Sequence, residues 1–224
     1  WQESEAALSM AFPLDLRTDT ARCDIQFGAV ERPVHRSTSW DDAKFEVCAH
    51  RFVDLSEPGF GIAVLNTGRY GHGLDAATVR VTLARAPRYP DPDADRGAHQ
   101  VTLALSPHDG DRSEVLRQAC VLNLPVRCFT GTGVAMADPV VTLAGGGVEI
   151  DAVKTADDGT GDLVVRFHEA IGARTSIEAG TRTGVLEAWS CPLTEELADP
   201  LEVVGGRVRL TLLPYQLVTL RLRS

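Results

Sequence analysis

Val79-Arg80-Val81-Thr82-Leu83-Ala84, then Arg88-Tyr89-Pro90-Asp91-Pro92-Asp93-Ala94-Asp95-Arg96-Gly97, then Val101-Thr102-Leu103-Ala104-Leu105 are the three stretches that set the fold class. In the first, Val79, Val81 and Leu83 alternate with Arg80, Thr82 and Ala84, the period of a half-buried strand. The second cannot pair as a strand, because Pro90 and Pro92 lack amide donors and charges crowd it. The third resumes strict alternation. Strand, polar loop, strand at this rhythm predicts an antiparallel sandwich.

The same reading extends in both directions. Upstream, Leu8–Leu16 reads as a strand bent or held at an edge by Pro13. Asp24–Val30 reads as a short strand, and Phe45, Val47 and Ala49 alternate as another. Phe60–Leu65 is apolar enough to lie centrally. Thr67-Gly68-Arg69-Tyr70-Gly71-His72-Gly73 is glycine-rich and predicts a loop. Between these lies a polar run, Glu31-Arg32-Pro33-Val34-His35-Arg36-Ser37-Thr38-Ser39-Trp40-Asp41. Pro33 disfavours helix for Arg32, so an extended arm presenting polar groups is expected. Trp40 reads more readily as a core anchor than as a sugar platform, and His35 as a hydrogen-bonded structural histidine.

Asp111–Asn123 breaks the pattern. Val115, Leu116, Ala119 and Leu122 recur at helical spacing, Asp111 or Ser113 can cap the start, and Pro125 follows the end. One amphipathic helix of about three turns is predicted. Thr130–Asp138 is turn-rich and suggests a boundary near 128–138. Strands then return at Val140–Leu143, Val148–Val153, Leu163–His168, Thr175–Ala179, Val185–Trp189, Leu201–Val204, Val208–Leu212 and Leu217–Leu222. Gly145-Gly146-Gly147, Asp157-Asp158-Gly159, Gly172 and Gly205-Gly206 read as hairpin turns between them. The arginines at 207, 209, 221 and 223 read as a solvent-facing stripe.

Composition bounds the function. A chain of 224 residues with 44% hydrophobic and 24% charged residues is an ordinary globular protein. A formal charge of −9 argues against nucleic acid as a partner, since phosphate neutralisation needs clustered cations. No apolar run approaches the roughly 20 residues that cross a bilayer, so no membrane partner is expected. The acidic opening, Trp1-Gln2-Glu3-Ser4-Glu5, does not read as a signal peptide. A start on Trp reads as a piece of something longer. The 5 cysteines are odd in number and widely spaced, which fits buried thiols in a reducing cytoplasm better than a disulfide framework or a zinc site.

Longer words resemble a known family. Asp24-Ile25-Gln26-Phe27-Gly28, Glu31-Arg32-Pro33, His35 and Thr38-Ser39-Trp40-Asp41 are similar to the C-terminal β-sandwich region of family 38 glycoside hydrolases, the α-mannosidases. The likeness continues through Asp54-Leu55-Ser56-Glu57-Pro58-Gly59, Leu65-Asn66, Tyr70-Gly71, Tyr89-Pro90-Asp91-Pro92 and Asp95-Arg96-Gly97. It implies an all-β fold: part of a supersandwich over residues 1–130, incomplete at its N-terminus, and a smaller sandwich over 131–224, with one short helix near the junction. A bare edge of the first sheet would then pair with another chain, as in a homo-oligomer, or stay ragged.

The resemblance also places the retaining chemistry elsewhere. That route needs two carboxyl groups about 5–5.5 Å apart, and the family adds a zinc held by His and Asp; both belong to an upstream catalytic domain of the same polypeptide. No catalytic residue and no metal ligand is assigned here, and His108-Asp109-Gly110-Asp111 reads as cap chemistry rather than a metal site. What the resemblance leaves to this chain is a sugar-facing rim for mannose-containing oligosaccharides. Arg96 would reach toward sugar hydroxyls, oriented by Asp93 and Asp95, and Tyr89 would offer a ring face. Arg69 and Tyr70 form a second candidate loop, its glycines allowing close backbone approach. A stand-alone carbohydrate-binding module and a purely structural interaction domain are the alternatives. The compartment implied is the cytoplasm.

Overall fold

The structure, a computed structural model, describes residues 1–128, 130–131, 139–196 and 199–224. The chain forms two compact units, Trp1–Val126 and Arg127–Ser224. Most of the predicted 130–138 crossover lies outside the described residues.

In the first unit, β1 (Leu8–Pro13), β8 (Thr78–Ala84), β7 (Gly71–Asp75) and β4 (Val47–Cys48) form one sheet, in that order. The other sheet runs β3 (Gly28–Pro33), β2 (Thr20–Ile25), β5 (Phe52–Glu57), β6 (Phe60–Asn66) and β9 (Leu103–His108). Every pairing is antiparallel. Alternation explains the layers: Val79 and Val81 turn inward to meet Cys23, Val53, Leu55 and Val64 of the facing sheet. The opposite face of the second sheet is covered too. Helix α2 (Arg112–Asn123) packs on β6 and β9, burying Val115, Leu116 and Ala119 as predicted. Asp111 caps it by accepting from the Ser113 amide at 2.8 Å.

The second unit is a sandwich of β10 (Val141–Ala144), β13 (Thr175–Thr181), β17 (Arg207–Leu212) and β16 (Val203–Val204). These face β11 (Val148–Thr155), β12 (Leu163–Glu169), β18 (Leu217–Arg223), β14 (Glu187–Cys191) and β15 (Asp199–Leu201). Val165, Phe167, Ile177, Val208, Leu220 and Leu222 join the layers.

Several local expectations are corrected. Asp24–Val30 is a hairpin, β2–β3, because Phe27 turns the chain at φ 57° without the usual Asn-Gly signal. The 45–49 alternation pairs only at Val47 and Cys48. Gly71–Gly73, expected in a loop, begin β7; a Cβ at Gly73 would lie 2.3 Å from the Arg80 guanidinium, which lies over that bare backbone. The polar arm is extended only to Pro33 and then forms a one-turn helix, α1 (Ser39–Asp42). Thr38 and Asp41 close a capping box there, which overrides the local preference for extended chain. Trp40 on that turn is 81% exposed, not a core anchor.

Gly145–Gly147 and Gly172 connect strands of different sheets, whereas the 157–159 and 205–206 turns are hairpins. Arg221 is buried rather than solvent-facing, at 4% exposure. It sits on the outer face of β18, where Asp162 and Asp158 fold over it at 2.8 and 2.7 Å. Cys23 is buried, but Cys48 and Cys128 are exposed, so the buried-thiol expectation holds only in part.

Candidate functional site

The predicted rim residues come from two loops of the first unit, 67–70 between β6 and β7 and 85–102 between β8 and β9. Asp95 anchors the longer one. It adopts φ 60°, and its Oδ2 accepts from the amides of Arg85 (2.7 Å) and Ala86 (3.0 Å). Those two hydrogen bonds hold its carboxyl below the usual range, and the charges of His99 and Arg69 add to the effect. The backbone carbonyl of Asp95 also meets His99 Nε2 at 2.7 Å.

Arg96 is oriented by Asp93, not by Asp95. Its Nη1 donates to Asp93 Oδ1 at 2.7 Å, and its Nη2 to Ser4 Oγ at 3.3 Å. The expectation that both carboxylates steer Arg96 is therefore half corrected: Asp95 faces away to the main chain, where two converging N–H groups outcompete one exposed guanidinium. Beside Arg96, Trp1 and Gly97 pair through two main-chain hydrogen bonds. Gly97 N donates to Trp1 O at 3.1 Å, and the Trp1 main-chain nitrogen donates to Gly97 O at 3.0 Å. Trp1, Gln2, Arg96, Gly97 and Ala98 line a shallow open cleft. Neither Trp1 nor Ser4 was legible as a site residue, since Trp1 meets Gly97 and Ser4 meets Arg96 from more than ninety positions away.

Tyr89 projects freely, 86% exposed. The Arg69 charge adds weakly to the lowering of the Asp95 carboxyl, and the Arg69 amide is fixed by Asn66 Oδ1 at 2.7 Å. Tyr70 is half exposed, its ring 5.1 Å from that of His50. Its carbonyl accepts from the Ala49 amide and from His72 Nδ1–H. His72 is fully buried, its Nε2 without a hydrogen-bond partner among the described residues. The structure thus sets Asp93, Asp95 and Arg96 together on the 85–102 loop, with Arg69 close enough to act on the Asp95 charge, and leaves the Tyr89 ring exposed. Two guanidiniums and a clamped loop can present donors to hydroxyl or carboxylate oxygens.

Among the described residues no three His, Cys, Asp or Glu side chains group as metal ligands. His108 has both ring nitrogens engaged: Nε2 meets Asp54 Oδ1 at 2.9 Å and Nδ1 accepts from the Gly110 amide at 3.1 Å. These residues do not fit a zinc ion. Among the described residues no helix is long and apolar enough to cross a membrane.

Fold and cleft together define an accessory double β-sandwich region with a charged loop rim. Residues 1–93 match the glycosyl hydrolases family 38 C-terminal domain, and residues 147–220 match the family 38 C-terminal beta sandwich domain. Alpha-mannosidase 2C1 of Homo sapiens is 37% identical over 99% of this chain, which spans 22% of that protein's length. The Alpha-mannosidase of Saccharomyces cerevisiae is 32% identical over 81% of the chain and 18% of its own length. In structure, an alpha-mannosidase from Enterococcus faecalis V583 superposes with a TM-score of 0.77 at 22% identity, over 97% of this chain and 26% of that one. The last likeness carries the fold alone. The chain belongs to the C-terminal region of glycoside hydrolase family 38.

Proposed function

We propose that this chain is the scaffold-forming C-terminal region of an α-mannosidase that removes terminal α-linked mannose from oligosaccharides in the cytoplasm. The reactive carboxylates and a zinc ion belong, on this reading, to a catalytic domain of the same polypeptide. The observation that carries it is the 37% identity, across 99% of the chain, to a protein named Alpha-mannosidase 2C1. A division of the chain near 130 is supported by the compact units meeting at Val126 and Arg127. The edge of β1, uncovered among the described residues and beside exposed Leu8 and Met10, would on this reading pair with another chain.

The substrate-facing role goes to Arg96 first, with Arg69, Tyr70, Tyr89 and Asp95 around it. Support comes from the Asp93–Arg96 contact, which presents the guanidinium beside an open cleft. In the full-length enzyme, Arg96→Ala raises KM or lowers kcat about tenfold while the melting temperature stays at the wild-type value. Wild-type kinetics in that variant would reduce the loop to scaffolding. Calorimetry of the chain alone against mannobiose separates the module reading: measurable heat favours a binding module, and silence favours the scaffold.

A further inference from the structure

The segment from β3 to β4 crosses from one sheet of the first unit to the other and closes that side of the sandwich. It encloses a narrow cleft walled by Arg32, His35, Arg36, Asp41 and Lys44, over Val47 and Leu74. In a chain of net charge −9, this cleft collects three permanent cations and one carboxylate.

That carboxylate is already occupied. Asp41 Oδ2 accepts from the Ser37 amide (3.3 Å), the Thr38 amide (3.1 Å) and the Thr38 hydroxyl (2.9 Å). The Thr38 hydroxyl contributes most to holding Asp41 ionised below the usual range. Lys44 sits 3.6 Å from its other oxygen. Arg32 and Arg36 have no ion pair among the described residues. Arg32 instead lies against the Cys23 thiol, whose pKa burial pushes up to about 11, so that partner is neutral. Its Nε is buried and has no hydrogen-bond partner among the described residues. A buried guanidinium donor without an acceptor is costly, and native structures rarely tolerate one.

We propose that this cleft is an oxyanion site for a phosphate group. Three cations less one carboxylate leave a charge of +2, which matches a phosphate dianion better than a single carboxylate. Two arginine forks suit its several acceptor oxygens. The phosphate is either the free ion or the monoester of a sugar, and the site is independent of the Arg96 rim.

The test is an NMR titration of the isotope-labelled chain with inorganic phosphate at neutral pH, chloride balancing ionic strength. The expected result is saturable shifts confined to the Arg32 Nε–H and the amides of 32–44, with Kd of about 1 mM or tighter. Arg36→Ala, at an exposed position, weakens binding about tenfold, while Arg17→Ala on the same unit leaves it unchanged. Mannose 6-phosphate run in parallel separates the sources. Binding about tenfold tighter than inorganic phosphate assigns the ester, and equal binding assigns the free ion. Absence of saturation, shifts scattered over the surface, or equal binding in Arg36→Ala overturns the site. Should Arg36→Ala not fold, the wild-type shift map decides alone: confined and saturable supports the site, scattered or absent overturns it.

Discussion

Replacing Glu169 tests how the second sandwich is tied together. Glu169 ends β12, is fully buried, and accepts three main-chain N–H groups: Ile171 at 3.0 Å, Gly172 at 2.9 Å and Tyr215 at 2.9 Å. The first two lie in the β12–β13 connection and the third in the β17–β18 connection, so one side chain joins two crossovers between the sheets. In Glu169→Gln one oxygen becomes an amide. With its remaining oxygen toward Gly172 and Tyr215, the new NH₂ faces the Ile171 N–H, donor against donor. One charge-assisted bond is lost and one buried donor is orphaned, for a cost of about 2–4 kcal/mol. In Glu169→Ala all three amides lose their acceptor, and the cost rises to about 4–6 kcal/mol. For a unit of this size each kcal/mol lowers Tm by about 4–8 °C, so the Gln variant melts about 8–32 °C lower. Calorimetry gives the melting shift, and hydrogen exchange gives the site: the amides of 171, 172 and 215 lose protection first. A Gln variant melting within about 2 °C of wild type would refute the reasoning.

Gly61→Ala should cost about 1–3 kcal/mol in urea unfolding, since a Cβ there would lie 2.4 Å from the His108 ring and 2.5 Å from Ser56 Oγ; an unchanged midpoint would sink it. His72 is held neutral because burial lowers its pKa. Stability is therefore full above its unfolded value near 6.5 and falls as pH drops below that. His72→Leu should flatten that slope between about pH 7 and 5 in denaturant titrations compared with wild type. Asp158 is lowered to about 2, first by the Thr160 hydroxyl and amide and then by Arg221. Its contribution is present above about pH 4 and is lost as pH falls toward 2. Asp158→Asn should weaken the acid dependence in that window, and an unaltered acid limb would exclude the linkage.

Local pattern was enough for the class of fold and most of its strands. Period-two alternation at Val79–Leu83, Leu163–His168 and Val208–Leu212, and the helical spacing of Val115, Leu116 and Ala119, are signals that burial of one face imposes on neighbouring residues. Longer words also carried the family. Other features depend on partners far apart in the chain, and these emerged only once it was folded. Arg221 became buried because the 157–162 turn closes over β18, and Asp95 turned from Arg96 to the Arg85 and Ala86 amides. Gly71–Gly73 became strand because Arg80 lies over the bare backbone at Gly73. The glycine turns at 145–147 and 172 read alike in sequence to those at 157–159 and 205–206, yet only the latter pair are hairpins. A turn residue fixes the local dihedral angle; which sheet receives the next strand depends on where its apolar face finds a core.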